Sequence, residues 1–234
     1  MRAPNAGPYT LSGTNSWMLG RDGAYLIDPG PAIAEHVEAV LAEAASRGGL
    51  AAIVLTHSHP DHSQATGAVR ERTGAPVASS APDADIALGD GATIGPLTAI
   101  ATPGHAADHL AFIAGRVCFS GDAVLGEGSV FIASYPGALA AYLAGLARLR
   151  ELDLELIAPG HGPLVTDPGA RIDTYIEHRL ERERQIAEAL AEGLREDELL
   201  ERVWPNLSPA LAPIAQATLQ AHLGKLADEG RLPG

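Results

Sequence analysis

Three histidines and an aspartate fall within six consecutive residues, and this cluster constrains the chain more than any other feature of its sequence. Residues 57–62 read His-Ser-His-Pro-Asp-His, although the 234 residues include only 9 histidines. At this histidine and aspartate content, the pattern His-x-His-x-Asp-His is expected by chance on the order of once in a thousand such chains. The cluster therefore predicts a chemical role for its residues.

The position of the cluster favours metal binding. It directly follows the apolar run Ala51–Leu55, which predicts a strand. Because residues two apart in an extended chain point to the same side, His57 and His59 can converge on one ion. Asp61 and His62 lie at the start of the next predicted helix, where they can face a neighbouring ion. Imidazole and carboxylate ligands together suit Zn²⁺ and related first-row metals.

Three further polar residues each follow an apolar segment and a glycine. His105 ends the sequence Thr-Pro-Gly-His, Asp122 ends Phe-Ser-Gly-Asp, and His161 follows Ala-Pro-Gly. Taken singly, each would be interpreted as a turn residue, because Gly-His and Gly-Asp are common turn pairs. Their joint order after the cluster indicates instead that they complete its metal site.

This series of motifs resembles the metal-binding signature of the metallo-β-lactamase superfamily, with every ligand position present and in order. The resemblance implies an αββα sandwich that holds two zinc ions. It also implies three residues for the first ion, three for the second and one bridge between them: His57, His59 and His105; Asp61, His62 and His161; and Asp122. Asp28 matches an early aspartate motif of the superfamily and would support the ligands from outside.

Within the superfamily, the chain resembles the beta-lactamase-like protein 2 branch over nearly its whole length. The softer motifs that carry this resemblance are residues 9–15 (YTLSGTN), 121–128 (GDAVLGEG) and 175–179 (YIEHR). The resemblance implies a winged-helix-like C-terminal domain. One member of the branch is a single-strand-specific endoribonuclease, and fungal relatives hydrolyse thioesters on carrier proteins. The resemblance therefore determines the metals more firmly than the reaction.

Apolar runs alternate with Ala-rich helical patterns over the first two thirds of the chain, which predicts α/β layers. After Pro168 the pattern becomes wholly helical. We therefore predict a catalytic domain over residues 1–167 and a small all-helical, winged-helix-like module over residues 168–234. The helices are expected at 32–47, 61–72, 172–190, 196–204 and 210–228, and the strands at 24–28, 51–56, 76–79, 97–101, 110–114, 117–120 and 156–158.

The implied pair of zinc ions would be sufficient for hydrolysis. Two ions about 3.5–4 Å apart can share a water, lower its pKa and hold it as hydroxide facing an electrophilic carbonyl. The same ions stabilise negative charge on the substrate oxygen, so no side-chain nucleophile is required. Asp61 and Asp122 are the candidate catalytic residues, since each could pass on the proton of the attacking water. The sequence thus predicts a dinuclear zinc hydrolase acting on a small ester or thioester.

A second interpretation keeps the metals but makes single-stranded RNA the substrate. The chain has 16 Lys and Arg against 29 Asp and Glu, a net charge of −13, and its single lysine is Lys225. Grooves that follow a phosphate backbone need clustered Lys and Arg, so RNA is disfavoured and no DNA or anionic membrane partner is expected. The sequence has no run of about 18 apolar residues, so no transmembrane helix is expected either.

Other functions also remain open on the sequence. Flavin-linked diiron relatives carry an acidic residue where this chain has His59, which argues against them. Mononuclear iron sulfur dioxygenases share part of the signature, but a single-metal site does not need a full set of ligands for a second ion, such as His62 and His161. A non-catalytic descendant would usually have lost ligands, whereas every ligand position is filled here. β-Lactamases with a cysteine ligand carry it where Asp122 stands, so antibiotic hydrolysis is disfavoured.

The single cysteine, Cys118, lies in an apolar strand and is expected to be a buried, inert thiol. It cannot form an intramolecular disulfide, and the N-terminus shows neither a basic start nor an apolar stretch. A cytoplasmic location is therefore expected.

The remaining histidines and the last helix have less defined roles. His109 is expected either to support a metal ligand or to form a hydrogen bond at a strand end. His36, His178 and His222 lie on predicted helices and are interpreted as surface or packing residues. The apolar face of the last helix can cover the catalytic domain or form a homodimer.

Overall fold

Two five-stranded β-sheets lie at the centre of the structure, a computed structural model that describes residues 1–232. The first sheet contains, in spatial order, β1 (Trp17–Leu19), β2 (Ala24–Ile27), β3 (Leu50–Val54), β4 (Val77–Ser79) and β5 (Ile86–Ala87). Strand β1 is antiparallel to β2, whereas β2 to β5 run parallel to one another.

The second sheet is formed by the later strands, each hydrogen-bonded to the next. They are β6 (Thr93–Ile94), β7 (Leu97–Ala101), β8 (Leu110–Ala114), β9 (Val117–Gly121) and β10 (Leu156–Pro159). Strands β6 to β9 are antiparallel, and β10 is parallel to β9. The carboxyl ends of β9 and β10 therefore meet at one edge of this sheet.

Helices surround the two sheets. In chain order they are α1 (Ala34–Ser46), α2 (Pro60–Ser63), α3 (Thr66–Thr73), α4 (Ala138–Arg150), α5 (Pro168–Ala191), α6 (Glu196–Val203) and α7 (Ala212–Asp228), with a 3₁₀ turn at Pro209–Leu211. Within residues 1–232, none of these helices combines the length and the apolar character needed to cross a membrane.

Alternation of side chains along the strands creates the layers. Along β2, Leu26 packs outward in a buried cluster with Val40 of α1 and Val69 of α3. The next residue, Ile27, points to the opposite face and packs in a cluster with Phe112 of the second sheet. Because successive strand residues face opposite sides, one apolar strand contributes to two cores. The first sheet thus lies between a helical layer and the second sheet.

A third core covers the outer face of the second sheet. Cys118 of β9 is fully buried there with Tyr142 and Leu146 of α4 and Ile172 of α5. Burial raises the pKa of the Cys118 thiol to about 12, which agrees with the expected inert thiol. The order of layers is therefore helix, sheet, sheet, helix, as the α/β sandwich interpretation predicted.

The helix expected at 61–72 is wrong as a single element, because the structure divides it into α2 and α3. The backbone N–H of Ala65, between the two helices, donates to the carbonyl oxygen of Gly30 at 2.9 Å. The N–H of Gly30 in turn donates to the carbonyl oxygen of His62 at 2.9 Å. This exchange with the loop after β2 explains the interruption of the helix.

Several short elements were not predicted. Strands β1, β5 and β6 have two or three residues each, too few for a recognisable alternation. Helix α4 was not predicted either, although its buried face, with Leu139, Tyr142, Leu146 and Leu149, has helical spacing. Its N-cap, Gly137, provides no side-chain cap, so the usual start signal is absent from the sequence.

The C-terminal helices form the predicted helical module. The second half of α5 packs with α6 and α7 in a separate buried cluster that includes Ile186, Leu199 and Leu219. The first half of α5 belongs to the core beside the second sheet, where Tyr175 lies. Residues 168–232 contain no strand, so a winged-helix module is not confirmed.

The proposed domain boundary and homodimer stay predictions. Helix α5 contributes to both the catalytic core and the C-terminal cluster, so the boundary before it at residue 168 is not marked by a change of packing. The last two residues of the predicted module, 233 and 234, lie outside the described residues.

Candidate metal centre

The seven predicted ligands lie at the ends of four strands. His57 and His59 follow β3, and Asp61 and His62 occupy the short helix α2 that comes next. The other three follow the strands of the second sheet: His105 after β7, Asp122 directly after β9, and His161 after β10. The two sheets therefore bring together residues that are about a hundred positions apart in sequence.

The seven side chains form three overlapping groups. In each group, one nitrogen or oxygen atom from every member lies within 4.8 Å of those of the other members. The groups are His57, His59 and His105; His57, His62 and Asp122; and Asp61, His62 and His161. The first and third are the two triads that the resemblance implied, and the second shares His57 with the first and His62 with the third and adds Asp122.

The Asp122 carboxylate lies between the two triads. Its Oδ2 is 3.5 Å from Nε2 of His105 and 3.4 Å from Nε2 of His161. Its Oδ1 is 3.4 Å from Nε2 of His62. One carboxylate therefore faces nitrogens of both triads, which is the position of a bridging ligand.

Within each triad, the ligand atoms have the spacing of a metal's coordination shell. Nδ1 of His59 is 2.9 Å from Nε2 of His105, and Nε2 of His62 is 3.2 Å from Nε2 of His161. Oδ2 of Asp61 lies 3.2 Å from Nε2 of His161. Two ligands of a tetrahedral Zn²⁺ at 2.0–2.1 Å would lie roughly 3.3 Å apart. The residues present thus fit the cations that the resemblance implies.

Hydrogen bonds to the second ring nitrogen orient the histidines towards the centre. Nδ1 of His62 lies 2.8 Å from Oδ2 of Asp28, the aspartate expected to support the ligands. Nδ1 of His105 is bonded to the carbonyl oxygen of Phe131 at 3.2 Å, and Nδ1 of His161 to that of Gly13 at 3.3 Å. These contacts leave each Nε2 directed at the other ligands, the usual arrangement of metal-bound histidines.

Thr56 connects Asp28 to His57, a role that the sequence did not indicate. The Thr56 hydroxyl donates to Oδ2 of Asp28 at 2.7 Å, and its backbone N–H donates to Oδ1 at 2.8 Å. Since the hydroxyl proton is used on Asp28, Thr56 Oγ1 accepts from Nδ1 of His57 at 3.0 Å. The proton of the neutral ring is therefore on Nδ1, and the lone pair of Nε2 is available.

His109 supports Asp122 through the backbone. Its Nε2 accepts the backbone N–H of Asp122 at 3.0 Å, and its Nδ1 is bonded to Oγ1 of Thr102 at 2.8 Å. Burial and repulsion by His105 lower the pKa of His109 to about 3, so the ring is neutral with its proton on Nδ1. His109 thus supports a candidate metal ligand and does so by a hydrogen bond at a strand end, which combines the two roles expected from the sequence.

The glycines before two of the ligands are required by space. A Cβ on Gly121, whose φ is +48°, would lie 2.6 Å from Oγ1 of Thr56. A Cβ on Gly160 would lie 2.5 Å from Oδ1 of Asp122 and 2.6 Å from Cε1 of His62. The Gly-Asp and Gly-His pairs are therefore more than turn residues, because any side chain would enter the centre.

Two buried ligand atoms have no hydrogen-bond partner within residues 1–232: Nε2 of His57 and Oδ1 of Asp122. Burial, together with the positive charge of His62, lowers the pKa of His57 well below its usual value, so this ring stays neutral. An unpaired buried lone pair is unfavourable unless a ligand satisfies it. Both atoms point to a cation at the centre.

The carboxylates at the centre need protons or cations nearby to balance their negative charge. Burial lowers the pKa of His62, but Asp122 and Asp28 outweigh this and raise it well above its usual value. Burial also lowers the pKa of His161, which Asp122 and Asp61 nevertheless raise to about 9. The carboxylates thus favour positive charge beside them, which a bound cation would supply in place of a proton on these rings.

A cavity of about 100 Å³ opens onto the ligands. His59, Asp61, His105 and Asp122 line its floor, and its walls are mostly apolar: Pro8, Tyr9, Leu11, Leu125, Val130, Phe131 and Ile214. The Tyr9 hydroxyl donates to the carbonyl oxygen of Ala210 at 2.8 Å, which joins the N-terminal segment to the C-terminal module. The module therefore covers part of the centre, and Ile214 of α7 contributes to the cavity wall.

Sequence comparison agrees with this geometry. The profile of the Metallo-beta-lactamase superfamily matches the chain over residues 9–96 and 85–161, which includes all seven candidate ligands. The chain belongs to the metallo-beta-lactamase superfamily.

Members and structures of the superfamily resemble the chain over most of its length. The "Beta-lactamase-like protein 2 homolog" of Caenorhabditis elegans is 33% identical over 97% of this chain and 82% of its own. An "Atrochrysone carboxyl ACP thioesterase" of Aspergillus chevalieri is 34% identical over 82% of this chain and 65% of its own. The crystal structure of a metallo-beta-lactamase family protein from Thermus thermophilus is 23% identical, with a TM-score of 0.80 over 96% of this chain and 91% of that chain.

These similarities confirm the predicted family, branch and fold. The similarity to the Thermus structure concerns the fold alone, and it extends through the helical module. As a member of the metallo-beta-lactamase superfamily with these histidine and aspartate groups, the chain is a metal-dependent hydrolase.

The three remaining helical histidines lie away from the centre. His36 is buried, with its Nε2 3.0 Å from Oγ of Ser16 and 3.1 Å from the carbonyl oxygen of Pro29. His222 is fully buried in α7, and His178 is partly buried in α5. His36 and His222 are packing residues and His178 keeps an exposed part, which agrees with the expectation of surface or packing roles.

Proposed function

We propose that this metallo-beta-lactamase superfamily member hydrolyses a small ester or thioester and uses two divalent metal ions, preferably zinc. The observation that carries this proposal is the position of Asp122 between two complete triads. His57, His59 and His105 would hold one ion, and Asp61, His62 and His161 the other, with Asp122 shared. Nitrogen and oxygen ligands of this kind suit zinc and also accept iron or manganese.

The metals and the protein would divide the chemistry. When bound, the ion pair supplies Lewis acidity, which lowers the pKa of water towards neutrality and stabilises negative charge on the substrate oxygen. The protein must then position the ligands and accept a proton. Asp122 is held by His109 through its backbone N–H, and its side chain is only 10% exposed, so it serves as a positioned ligand.

Asp61 is the carboxylate that can exchange a proton with solvent. Its side chain is 29% exposed, and it lines the cavity over the ligands. Burial raises its pKa, but the hydrogen bond to His161 and the charge of His62 lower it overall, so the carboxylate is ionised. We assign to Asp61 the acceptance of the proton from the attacking water, which leaves Asp122 with a structural task.

The cavity and the relatives favour a small acyl substrate. The cavity walls are mostly apolar and, within residues 1–232, include no Lys or Arg, whereas a phosphate-tracking groove needs several. The similarity to a protein named as an acyl-carrier-protein thioesterase supports a thioester as the scissile bond. RNA stays the less favoured substrate, as the net charge of −13 indicates.

The test is a metal-quantified activity panel with thioesters, lactones, phosphodiesters and unstructured single-stranded RNA. We expect about two zinc ions per chain and hydrolysis of a thioester that falls at least about 1,000-fold in Asp122→Ala. Asp153→Ala is the matched control, since this aspartate is 86% exposed and contacts only Arg116 among the ion pairs of the described residues. Asp122-dependent cleavage of RNA without esterase activity would show that the protein is a nuclease and contradict the proposal. One iron ion per chain in place of zinc would favour the sulfur dioxygenase instead.

A further inference from the structure

A second cavity, of about 260 Å³, adjoins the cavity at the metal centre. The two share four lining residues: Ser129, Val130, Phe131 and Ile214. Phe131 marks the boundary, because its ring stacks at 6.1 Å on that of His59 and meets that of His105 edge-on at 4.4 Å. A molecule whose reacting group lies beside His59 and His105 can therefore extend past Phe131 into the second cavity.

The second cavity carries positive charge in an acidic protein. Arg179 and Arg182 line it, and the described part of its lining includes no Asp or Glu. His178 also lines it, but burial and the two arginine charges lower the pKa of His178 to about 4, so this ring is neutral. We call it the arginine cavity. Two acidic residues flank Arg182 in sequence. Glu181 is bonded to Arg184 at 2.6 and 2.9 Å and to Gln185 at 2.7 Å, and the buried Glu183 is paired with Lys225 at 2.9 Å and with Arg231. A chain of net charge −13 therefore has a local cationic site next to its metal centre.

Arg179 is the unusual member of this group, because it is 2% exposed and forms no ion pair with a carboxylate among the side chains that the structure describes. Its Nη2 donates to Oγ of Ser129 at 3.0 Å and to the carbonyl oxygen of Val130, while its Nε has no hydrogen-bond partner among residues 1–232. The ring of Tyr142 lies 5.8 Å from the guanidinium carbon. Buried cations are normally paired, so an unpaired buried guanidinium indicates that an anion is bound there at some stage.

Arg182 lies at the more open side of the arginine cavity. Its guanidinium stacks over the Trp204 ring at 5.3 Å, and its Nε is 3.4 Å from Nε2 of His178. The remaining walls are apolar, with Leu207 and Leu211 beside Trp204. The cavity therefore combines cationic groups with an apolar surface, which suits an anion attached to an apolar body.

We propose that the arginine cavity binds the anionic end of the substrate, a carboxylate or phosphate group carried on an apolar body, while the ester or thioester lies at the metal centre. The inference rests on the proposed hydrolase function. Guanidinium groups recognise both carboxylate and phosphate oxygens through paired N–H donors. The substrate is thus an acidic ester or thioester, and the C-terminal module selects it because α5, the segment after α6 and α7 together provide most of the cavity.

The first test is binding to the metal-loaded full chain, measured by titration calorimetry. The probes are 4-phenylbutyrate, phenyl phosphate and the neutral 4-phenylbutanamide. We expect at least one anion to bind and the amide to bind at least ten-fold more weakly; comparison of the two anions identifies carboxylate or phosphate as the preferred group. Arg182→Gln should weaken the anion at least ten-fold.

The control variant is Arg184→Gln, which removes the same charge from the same helix outside the cavity and should leave the affinity unchanged. Arg182→Lys should restore part of the affinity, and this separates loss of charge from loosening of the module. Anion binding that is the same in Arg182→Gln and wild type would place the anion on the metals or elsewhere and overturn the proposal.

The second test is turnover of two matched thioesters of N-acetylcysteamine, one with a free terminal carboxylate on the acyl chain and one with its amide. We expect wild type to prefer the acid at least ten-fold in kcat/KM, and Arg182→Gln to lose that preference. Thioester hydrolysis without any preference would overturn the arginine cavity and leave the hydrolase intact. Arg182-dependent anion binding without thioester hydrolysis would support the cavity and contradict the proposed function.

Discussion

Nε2 of His109 accepts the backbone N–H of Asp122 at 3.0 Å, and this bond links the proposed bridging carboxylate to a ring that belongs to neither triad. Asp122 follows directly on β9, at a point where Gly121 has a φ of +48°. The N–H of Asp122 thus needs an acceptor outside the sheet, and His109 provides it from the segment before β8. The bridge is therefore oriented through its main chain as well as its side chain.

Replacement of His109 tests this link. His109→Leu leaves the buried N–H of Asp122 without an acceptor, and we expect metal affinity or activity to fall about 10–100-fold, as for other residues that orient metal ligands. Metal competition titrations and kcat/KM measure the effect. His109→Gln retains an acceptor and should recover part of the loss, whereas equal effects of both variants would show that only the size of the ring matters.

Replacement of Gly160 tests the space beside the bridge. Gly160→Ala places a Cβ 2.5 Å from Oδ1 of Asp122 and 2.6 Å from Cε1 of His62, so the ligands must move apart. We expect at least a ten-fold loss of metal affinity in competition titrations while the circular dichroism spectrum is retained. Gly67→Ala is the matched control, because a Cβ there meets no atom within 4 Å and should leave metal binding unchanged. Normal affinity in Gly160→Ala would contradict the crowded centre.

Removal of the metals is expected to destabilise the whole chain. A cation bound only by the folded state contributes about 4 kcal/mol when its free concentration is 1,000-fold above Kd. Treatment with a chelator should therefore lower Tm, and reloading with Zn²⁺ should restore it. Metal binding should also release protons, since the neighbouring carboxylates raise the pKa of His62 and His161 in the absence of a cation. A Tm that does not respond to the chelator would exclude a metal held by these ligands.

His222 predicts loss of stability in acid. Burial, with the charges of Arg179 and Lys225, lowers its pKa to about 3 in the folded protein, against 6.5 for an ordinary histidine. The unfolded chain therefore binds a proton that the folded chain does not, and the free energy of unfolding falls as pH decreases from 6.5 towards 3. The slope for one such group is about 1.4 kcal/mol per pH unit.

The variant His222→Leu isolates this effect, because neither ring nitrogen of His222 has a hydrogen-bond partner within residues 1–232. Urea unfolding of both proteins at pH 7.5 and 5.5 should show a smaller decrease in stability for the variant. The metal centre titrates equally in both proteins, so the difference reports on His222. Identical decreases would mean that His222 is protonated in the folded chain.

The sequence indicated the candidate ligands, which the structure brings together in three groups, but it indicated little of their surroundings. The motif around His57 has a strict spacing, so its chemistry can be recognised without coordinates. Phe131, in contrast, contacts two ligands from a segment with no motif, and Thr56 adjoins the motif but has no pattern that reveals its bond to Asp28. Arg179 belongs to a helix whose charge alternation resembles that of any solvated surface, and only the packing of α5 against the loop at Ser129 shows that it is buried.

Elements of the fold were predictable where the sequence itself carries a repeating pattern. Long strands and helices such as β8 and α5 carry repeated apolar positions, whereas the two-residue strands β5 and β6 carry none. The break between α2 and α3 depends on a hydrogen bond from Ala65 to Gly30, 35 positions earlier in the chain, and local periodicity contains no information about such a partner.

The bond from the Tyr9 hydroxyl to the carbonyl oxygen of Ala210 joins segments 201 positions apart above the cavity. The candidate metal ligands all lie between these two segments in sequence, so substitution of wall residues such as Pro8 or Ile214 can alter which molecules enter without replacing a ligand. Substrate selectivity and reactivity can accordingly change separately. The two terminal segments should therefore be exchanged together between homologues when the substrate selectivity of this protein is to be changed.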